Sequence, residues 1–200
     1  MTTVEESKTL TDSVSVQALA LIELLEGAGT HADKGKSALH ALNSVQLEGE
    51  GAGYLSARAT DRYRLIEGKI EVEHGELSST LISLDDSKRV IELCKSNKVS
   101  LVSLNRIGDL LTVSVTGSSI TIKVLEANYP ATFNDLLNKS EREPLGEIAF
   151  NPALFADYGK IAGKGNAVRV EFTGKGKPMI IHLPVTKVEW RALLMPMRVI

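Results

Sequence analysis

Three times along the chain a helix-like stretch is followed by three strand-like stretches, in the second and third passes after a short strand of its own. A recurrence of this kind, at roughly 55 to 65 residues, signals related structural units laid head to tail. In the first pass, residues 13–26 read as a helix opened by Asp12 or Ser13 and stopped by Gly27 or Gly29. Alternating polar and apolar residues then lead through Val45 and Leu47 to the turn Glu48-Gly49-Glu50-Gly51-Ala52-Gly53 and back through Tyr54 to Thr60, a hairpin pattern, and residues 64–72 add a strand. The second pass has a strand at 79–83, a helix at 85–95 with two acids in its first turn, and strands at 99–104, 110–115 and 120–125. In the third, a strand at 147–150 precedes a helix opened by Asn151-Pro152 and running to Ala162, with strands at 168–172, 179–183 and 192–199. The expected class is α+β, built from strand-helix-three-strand half-units, with antiparallel sheets and helices on one face. The polar, proline-terminated run Lys139-Ser140-Glu141-Arg142-Glu143-Pro144 is the expected boundary, giving a two-unit domain over 1–140 and a half-domain over 141–200.

Two hundred residues, 43% hydrophobic and 24% charged, suffice for a substantial core. A formal net charge of -2 gives no global attraction to nucleic acid or anionic membranes, so any DNA contact is local. The only cysteine, Cys94, forbids an internal disulfide. The first residues lack a basic and apolar leader pattern, and no apolar run reaches membrane-spanning length, so a cytoplasmic protein without a membrane partner is expected.

Catalytic patterns are missing from the sequence. His31, His40, His74 and His182 stand in no metal-ligand spacing, and a lone cysteine builds no zinc site, so no metal or cofactor is expected. There is no nucleophile elbow and no phosphate-binding Gly-rich loop, and the Gly-rich hairpin turn is acidic. Asp85-Asp86 reads as a helix cap and Asp61, near Arg58 and Arg64, as a turn cap or ion-pair member. The chain is expected not to be an enzyme.

The end of the chain, Leu193-Leu194-Met195-Pro196-Met197-Arg198-Val199-Ile200, is apolar where termini are usually polar, and is expected to lie against a surface. Its string Met195-Pro196-Met197-Arg198-Val199 resembles the close of the bacterial β sliding clamps, the DNA polymerase III β subunit family of processivity factors. Ala59-Thr60-Asp61-Arg62-Tyr63-Arg64-Leu65 resembles a strand end of their middle domain. Asn128-Tyr129-Pro130 with Leu136-Leu137 is similar to the segment that closes that domain, and Glu147-Ile148-Ala149-Phe150-Asn151-Pro152 to the opening of the last half of their third. The resemblance is to about one and a half clamp domains. It implies a peptide-binding pocket with an apolar wall from Tyr63, Leu65, Pro130, Leu193, Met195, Pro196, Met197 and Val199, with Arg64 and Arg198 at its edge and Thr60 and Arg62 as further peptide-binding residues. Arg62 stands where the family has glycine, which costs about 1 kcal/mol if the position needs a left-handed backbone; either the turn differs or Arg62 reaches over the rim.

The resemblance also implies sequence-independent contact of helix lysines and arginines with double-stranded DNA. The candidates are Lys88, Arg89, Lys95 and Lys98 around the second helix and Lys160 and Lys164 around the third; the first offers only Glu23 and Glu26. The implied partners are DNA polymerase or other replication proteins carrying motifs of the Gln-Leu-x-Leu-Phe type. An odd number of units leaves one unpaired, so a homo-oligomer is expected, most simply a two-fold dimer pairing the third units. Two functions follow as expectations: a processivity factor that tethers such proteins to DNA, or a non-encircling clamp mimic that captures the same motifs as an adaptor or inhibitor of replication.

Overall fold

The computed structural model of the chain describes residues 12–35, 40–127, 129 and 148–198. The expected boundary at 139–144 and the candidates Pro130 and Val199 lie outside these residues. The first unit comprises β1 (Ser13–Gln17), α1 (Ala18–Gly29), β2 (Ser44–Gly49), β3 (Tyr54–Thr60) and β4 (Arg64–Glu71). A short β5 (His74–Glu76) leads to the second unit, β6 (Thr80–Ser83), α2 (Leu84–Lys95), β7 (Leu101–Ile107), β8 (Leu110–Val115) and β9 (Ser118–Lys123). The third has α3 (Pro152–Ala162), β10 (Arg169–Phe172), β11 (Met179–His182) and β12 (Glu189–Leu194).

One expectation is overturned at the start. Residues 13–17 are strand, not helix, and α1 begins at Ala18. Ser-Val-Ser-Val-Gln has a period of two, and its two valines are buried while β1 bonds to β7 on one side and β5 on the other. Tertiary pairing of β-branched residues decides the local structure. The last strand also ends earlier than expected: β12 closes at Leu194, and Met197 then makes an isolated bridge to Ala149. Asn151 caps α3 as expected, whereas α2 is capped by Ser83 and not by Asp85 or Asp86, which lie in its first turn. Ser83 accepts the Asp86 amide at 3.0 Å and Asn151 accepts that of Ala153 at 3.0 Å, each satisfying a first-turn donor.

Among the described residues the strands pair antiparallel within two sheets, one of five strands in the order β5-β1-β7-β8-β9 and one of seven in the order β10-β11-β12-β4-β3-β2-β6. The seven-stranded sheet crosses from the first unit to the third through the β4–β12 ladder, where Leu65 pairs with Leu193 and Arg64 with Leu194. Because side chains alternate across a strand, each row of this sheet belongs to one face. Ala59, Ile66, Ala192 and Ile181 point into the main core with Leu21, Leu24 and Leu25 of α1.

The third unit is plugged into the first by Trp190. The indole lies over Gly27 of α1 and Gly68 of β4, and a Cβ at either glycine would overlap the ring. A side chain of this size removes enough apolar surface from water to contribute about 4 to 6 kcal/mol. Glycine in the middle of a helix and a strand, unfavourable locally, is explained by that close approach.

Candidate peptide-docking cleft

The β3–β4 turn begins the site. Asp61 Oδ1 accepts the backbone amides of Tyr63 at 3.1 Å and Arg64 at 3.2 Å, while Thr60 Oγ1 donates to the Arg64 carbonyl at 2.7 Å and accepts the Arg62 amide at 3.2 Å. Asp61 is thus a turn cap and, through its other oxygen, an ion-pair partner of Arg64. Arg62 has φ 78°, the only left-handed non-glycine residue among those described. The turn therefore keeps a glycine-type backbone with an exposed arginine on it, at a strain of about 1 kcal/mol.

Alternation sorts the remaining candidates. On the face opposite the main core, Thr60, Leu65, Leu193 and Ile180 are successive cross-strand partners on β3, β4, β12 and β11. Leu65 and Leu193 form a small apolar cluster of their own, with Ile180 and Tyr129 packed against it. Beyond the strand ends the Met195 amide donates to the Tyr63 carbonyl at 2.9 Å, and the Met197 amide donates to that of Ala149 at 2.8 Å. These bonds hold a strip of exposed apolar side chains in place, with Tyr63 65%, Met195 40%, Met197 55% and Phe150 38% exposed. Pro196 is half-buried within the strip and Arg198 is exposed at its end. Thr60, Leu65 and Leu193 are thus cross-strand neighbours, and the bond from Met195 to Tyr63 brings the chain that continues to Pro196, Met197 and Arg198 beside the turn that carries Arg62.

Arg64 lies elsewhere. It was expected at the cleft edge, but it is one residue out of phase with Leu65, so it points to the opposite face and is buried. Its guanidinium donates to Asp61 Oδ2 at 2.9 Å, Asp157 Oδ2 at 2.6 Å, the Leu154 carbonyl at 3.1 Å and the Thr30 carbonyl at 2.8 Å. One side chain thus joins the β3–β4 turn, the end of α1 and α3. Burial opposes ionisation of Asp157, but hydrogen bonds from Lys160 and Arg64 outweigh it and hold the carboxyl below the usual range. Next to this hub, His31 is fully buried against Tyr158, ring centroids 4.7 Å apart. Burial and then the Arg64 charge push the imidazole down to about 3, so it is neutral. Tyr158 donates at 2.7 Å to the Leu193 carbonyl, tying α3 to β12.

Sequence reasoning missed Ile180, Asp157 and Tyr158 as supports of this region. Ile180 was recoverable once β11 and β12 are paired in register; Asp157 and Tyr158 carry no local signal, since their partners are 93 and 35 residues away.

The next row of the same sheet face is charged. Arg58 pairs with Glu67, Glu48 and Glu50, and Arg191 on β12 reaches Glu67 at 3.4 Å, so the ladder crosses the joint between units. Lys69 also pairs with Glu50.

The DNA candidates stand in a different setting. Lys88 pairs with Asp85, Arg89 with Asp86, Lys95 with Glu26 of α1, and Lys160 with Asp157. Lys98 and Lys164 are exposed in the turns that follow α2 and α3. Across α1, α2 and α3 carboxylates outnumber bases by two, because α1 carries Glu23 and Glu26 and no base. Among the described residues no cluster of three or more His, Cys, Asp or Glu could hold a metal, and no helix is long and apolar enough to cross a membrane.

No family model matches the sequence, and no curated protein matches it. Solved structures do. The DNA polymerase sliding clamp of Caulobacter crescentus superposes with a TM-score of 0.78 over 98% of this chain and 68% of its own, at 17% identity. The DNA polymerase III β subunit of Thermotoga maritima gives 0.79 over 100% and 69% at 17% identity, and the β chain of Streptococcus pneumoniae 0.76 over 99% and 67% at 15%. By these superpositions the chain has the fold of the bacterial DNA polymerase sliding clamps, of which it spans about two thirds.

Proposed function

We propose that this protein is a clamp-fold docking factor of DNA replication, which captures a short peptide segment of a polymerase or another replication protein and catalyses nothing itself. The observation that carries the reading is the exposed apolar strip Tyr63, Met195 and Met197, which lies beside the buried pair Leu65 and Leu193. Such a surface suits aliphatic and aromatic anchors of an extended peptide, and methionines adapt it to more than one sequence. On this reading Thr60, Pro130 and Val199 complete the wall, Arg62 and Arg198 stand at the rim, residues 1–140 are a two-unit domain and 141–200 a half-domain, and the protein works in the cytoplasm. Titration with a synthetic Gln-Leu-x-Leu-Phe peptide tests it; absence of binding at high micromolar concentration overturns it.

Whether docking occurs on DNA separates two forms of the proposal. A tether that encircles DNA needs mobile phosphate contacts along its helices. The acidic α1, which carries Glu23 and Glu26 and no base, favours the second form, a non-encircling protein that captures replication motifs as an adaptor or inhibitor. Retention on closed circular DNA that is lost on linearisation would establish the encircling form instead.

A further inference from the structure

A second exposed apolar patch lies at the other end of the strands from the cleft, around a cavity of about 570 Å³. Leu19 at the start of α1, Tyr54 at the start of β3, Val99 after α2 and Val185 before β12 line it, from all three units. Val99 is 92% exposed and Val185 74%. Neither belongs to a frayed segment. The turn carrying Val99 is held by bonds from Asn97 to the Cys94 carbonyl at 3.1 Å, from Ser100 to Asn97 at 3.2 Å and from Ala18 to Ser100 at 3.1 Å. Next to Val185, Thr186 is hydrogen-bonded through its hydroxyl to Glu23 of α1. Apolar side chains held in water by an ordered backbone mark an interaction surface.

The rim identifies the partner. Lys98 and Lys187 line this cavity together with Glu71 and Glu189, all exposed, and among the described residues none of the four has a side-chain hydrogen bond or ion pair. By contrast, Lys69 in the same rim is committed to Glu50, and Glu73 accepts from Gln17 at 2.8 Å. A patch that offers two uncommitted cations and two uncommitted anions around an apolar centre complements itself. This is the requirement of an isologous two-fold contact, in which each surface supplies both halves.

We propose that a second copy of this chain docks here, Val99 and Val185 packing across a two-fold axis with the lysines of each copy facing the glutamates of the other. The contact differs from a pairing of third units alone, since all three units contribute to it, and it leaves the peptide cleft open at the far end.

Sedimentation velocity on three proteins tests this: wild type, Lys98→Glu/Lys187→Glu, and Glu71→Lys/Glu189→Lys. At tens of micromolar the wild type sediments as a dimer, each charge variant as a monomer with wild-type far-ultraviolet circular dichroism, and their equimolar mixture as a dimer again, because opposite charges are restored across the axis. A monomeric wild type, a variant that stays dimeric, or a mixture that stays monomeric overturns the proposal. If a charge variant does not fold, Val99→Ser/Val185→Ser decides: it must weaken the dimer at least about tenfold, and an unchanged dissociation constant overturns the proposal. Peptide binding by the monomeric variants is unaffected, so this test and that of the cleft fail independently.

Discussion

Arg64 and Asp157 meet at 2.6 Å across 93 residues of sequence, the guanidinium on the first unit and the carboxylate on the third. The same guanidinium also binds Asp61 and two carbonyls, so its removal leaves several buried acceptors unsatisfied at once. Arg64→Ala is expected to cost about 3 to 5 kcal/mol. Urea unfolding measures it, and a loss under about 1 kcal/mol, the scale of an exposed ion pair, would show the hub to be dispensable.

The Trp190 slot gives a second test. Gly68→Ala puts a methyl group into the indole and within 2.8 Å of Leu24 Cδ1. Overpacking of this kind costs about 1 to 3 kcal/mol, and the thermal midpoint should fall accordingly. Trp190 fluorescence should shift to the red as the ring is displaced toward water; unchanged emission with unchanged stability would rule out the plug.

Stability should depend on pH through His31. In the unfolded chain the imidazole takes a proton below about 6.5, while in the folded chain it stays neutral down to about 3. The unfolded state therefore binds more protons in this window. Stability is full above the unfolded value and is lost as pH falls, by about 1.4 kcal/mol per unit at the limiting slope. Asp157, whose folded carboxyl lies below its usual range, adds a loss of the same sign only at more acidic pH. Urea midpoints at pH 7, 6 and 5 should decline in the wild type and flatten in His31→Gln; parallel declines would assign the effect to other groups.

Arg62→Gly should stabilise the protein, because φ 78° costs an arginine about 1 kcal/mol that glycine avoids. The unfolding midpoint in urea reads this out. A destabilised variant would mean that contacts of the Arg62 side chain outweigh the backbone strain.

The parts of this fold legible in the sequence are those fixed by local pattern: the hairpin of β2 and β3, the capped helices α2 and α3, and the turns between strands. Residues 13–17 were misread because Val14 and Val16 adjoin a helical run, and only pairing with β5 and β7 makes them a strand. At the cleft, residue types were legible but facing was not. Tyr63, Arg64 and Leu65 are consecutive in a motif, yet the pleat sends Leu65 to the small apolar cluster on one sheet face and Arg64 to the opposite face. The pairing of Lys95 was equally hidden, since its partner, Glu26, belongs to another helix.

The central claim is that the exposed surface of Tyr63, Met195 and Met197, beside the buried pair Leu65 and Leu193, captures a peptide. Fluorescence anisotropy of a labelled Gln-Leu-x-Leu-Phe peptide, titrated with wild type and with Met195→Ala/Met197→Ala, measures this directly. Both methionines are well exposed, so the double variant should fold, and saturable binding by the wild type should weaken at least about tenfold when two apolar anchors are truncated. No binding by the wild type at high micromolar concentration, or equal binding by both proteins, would contradict it.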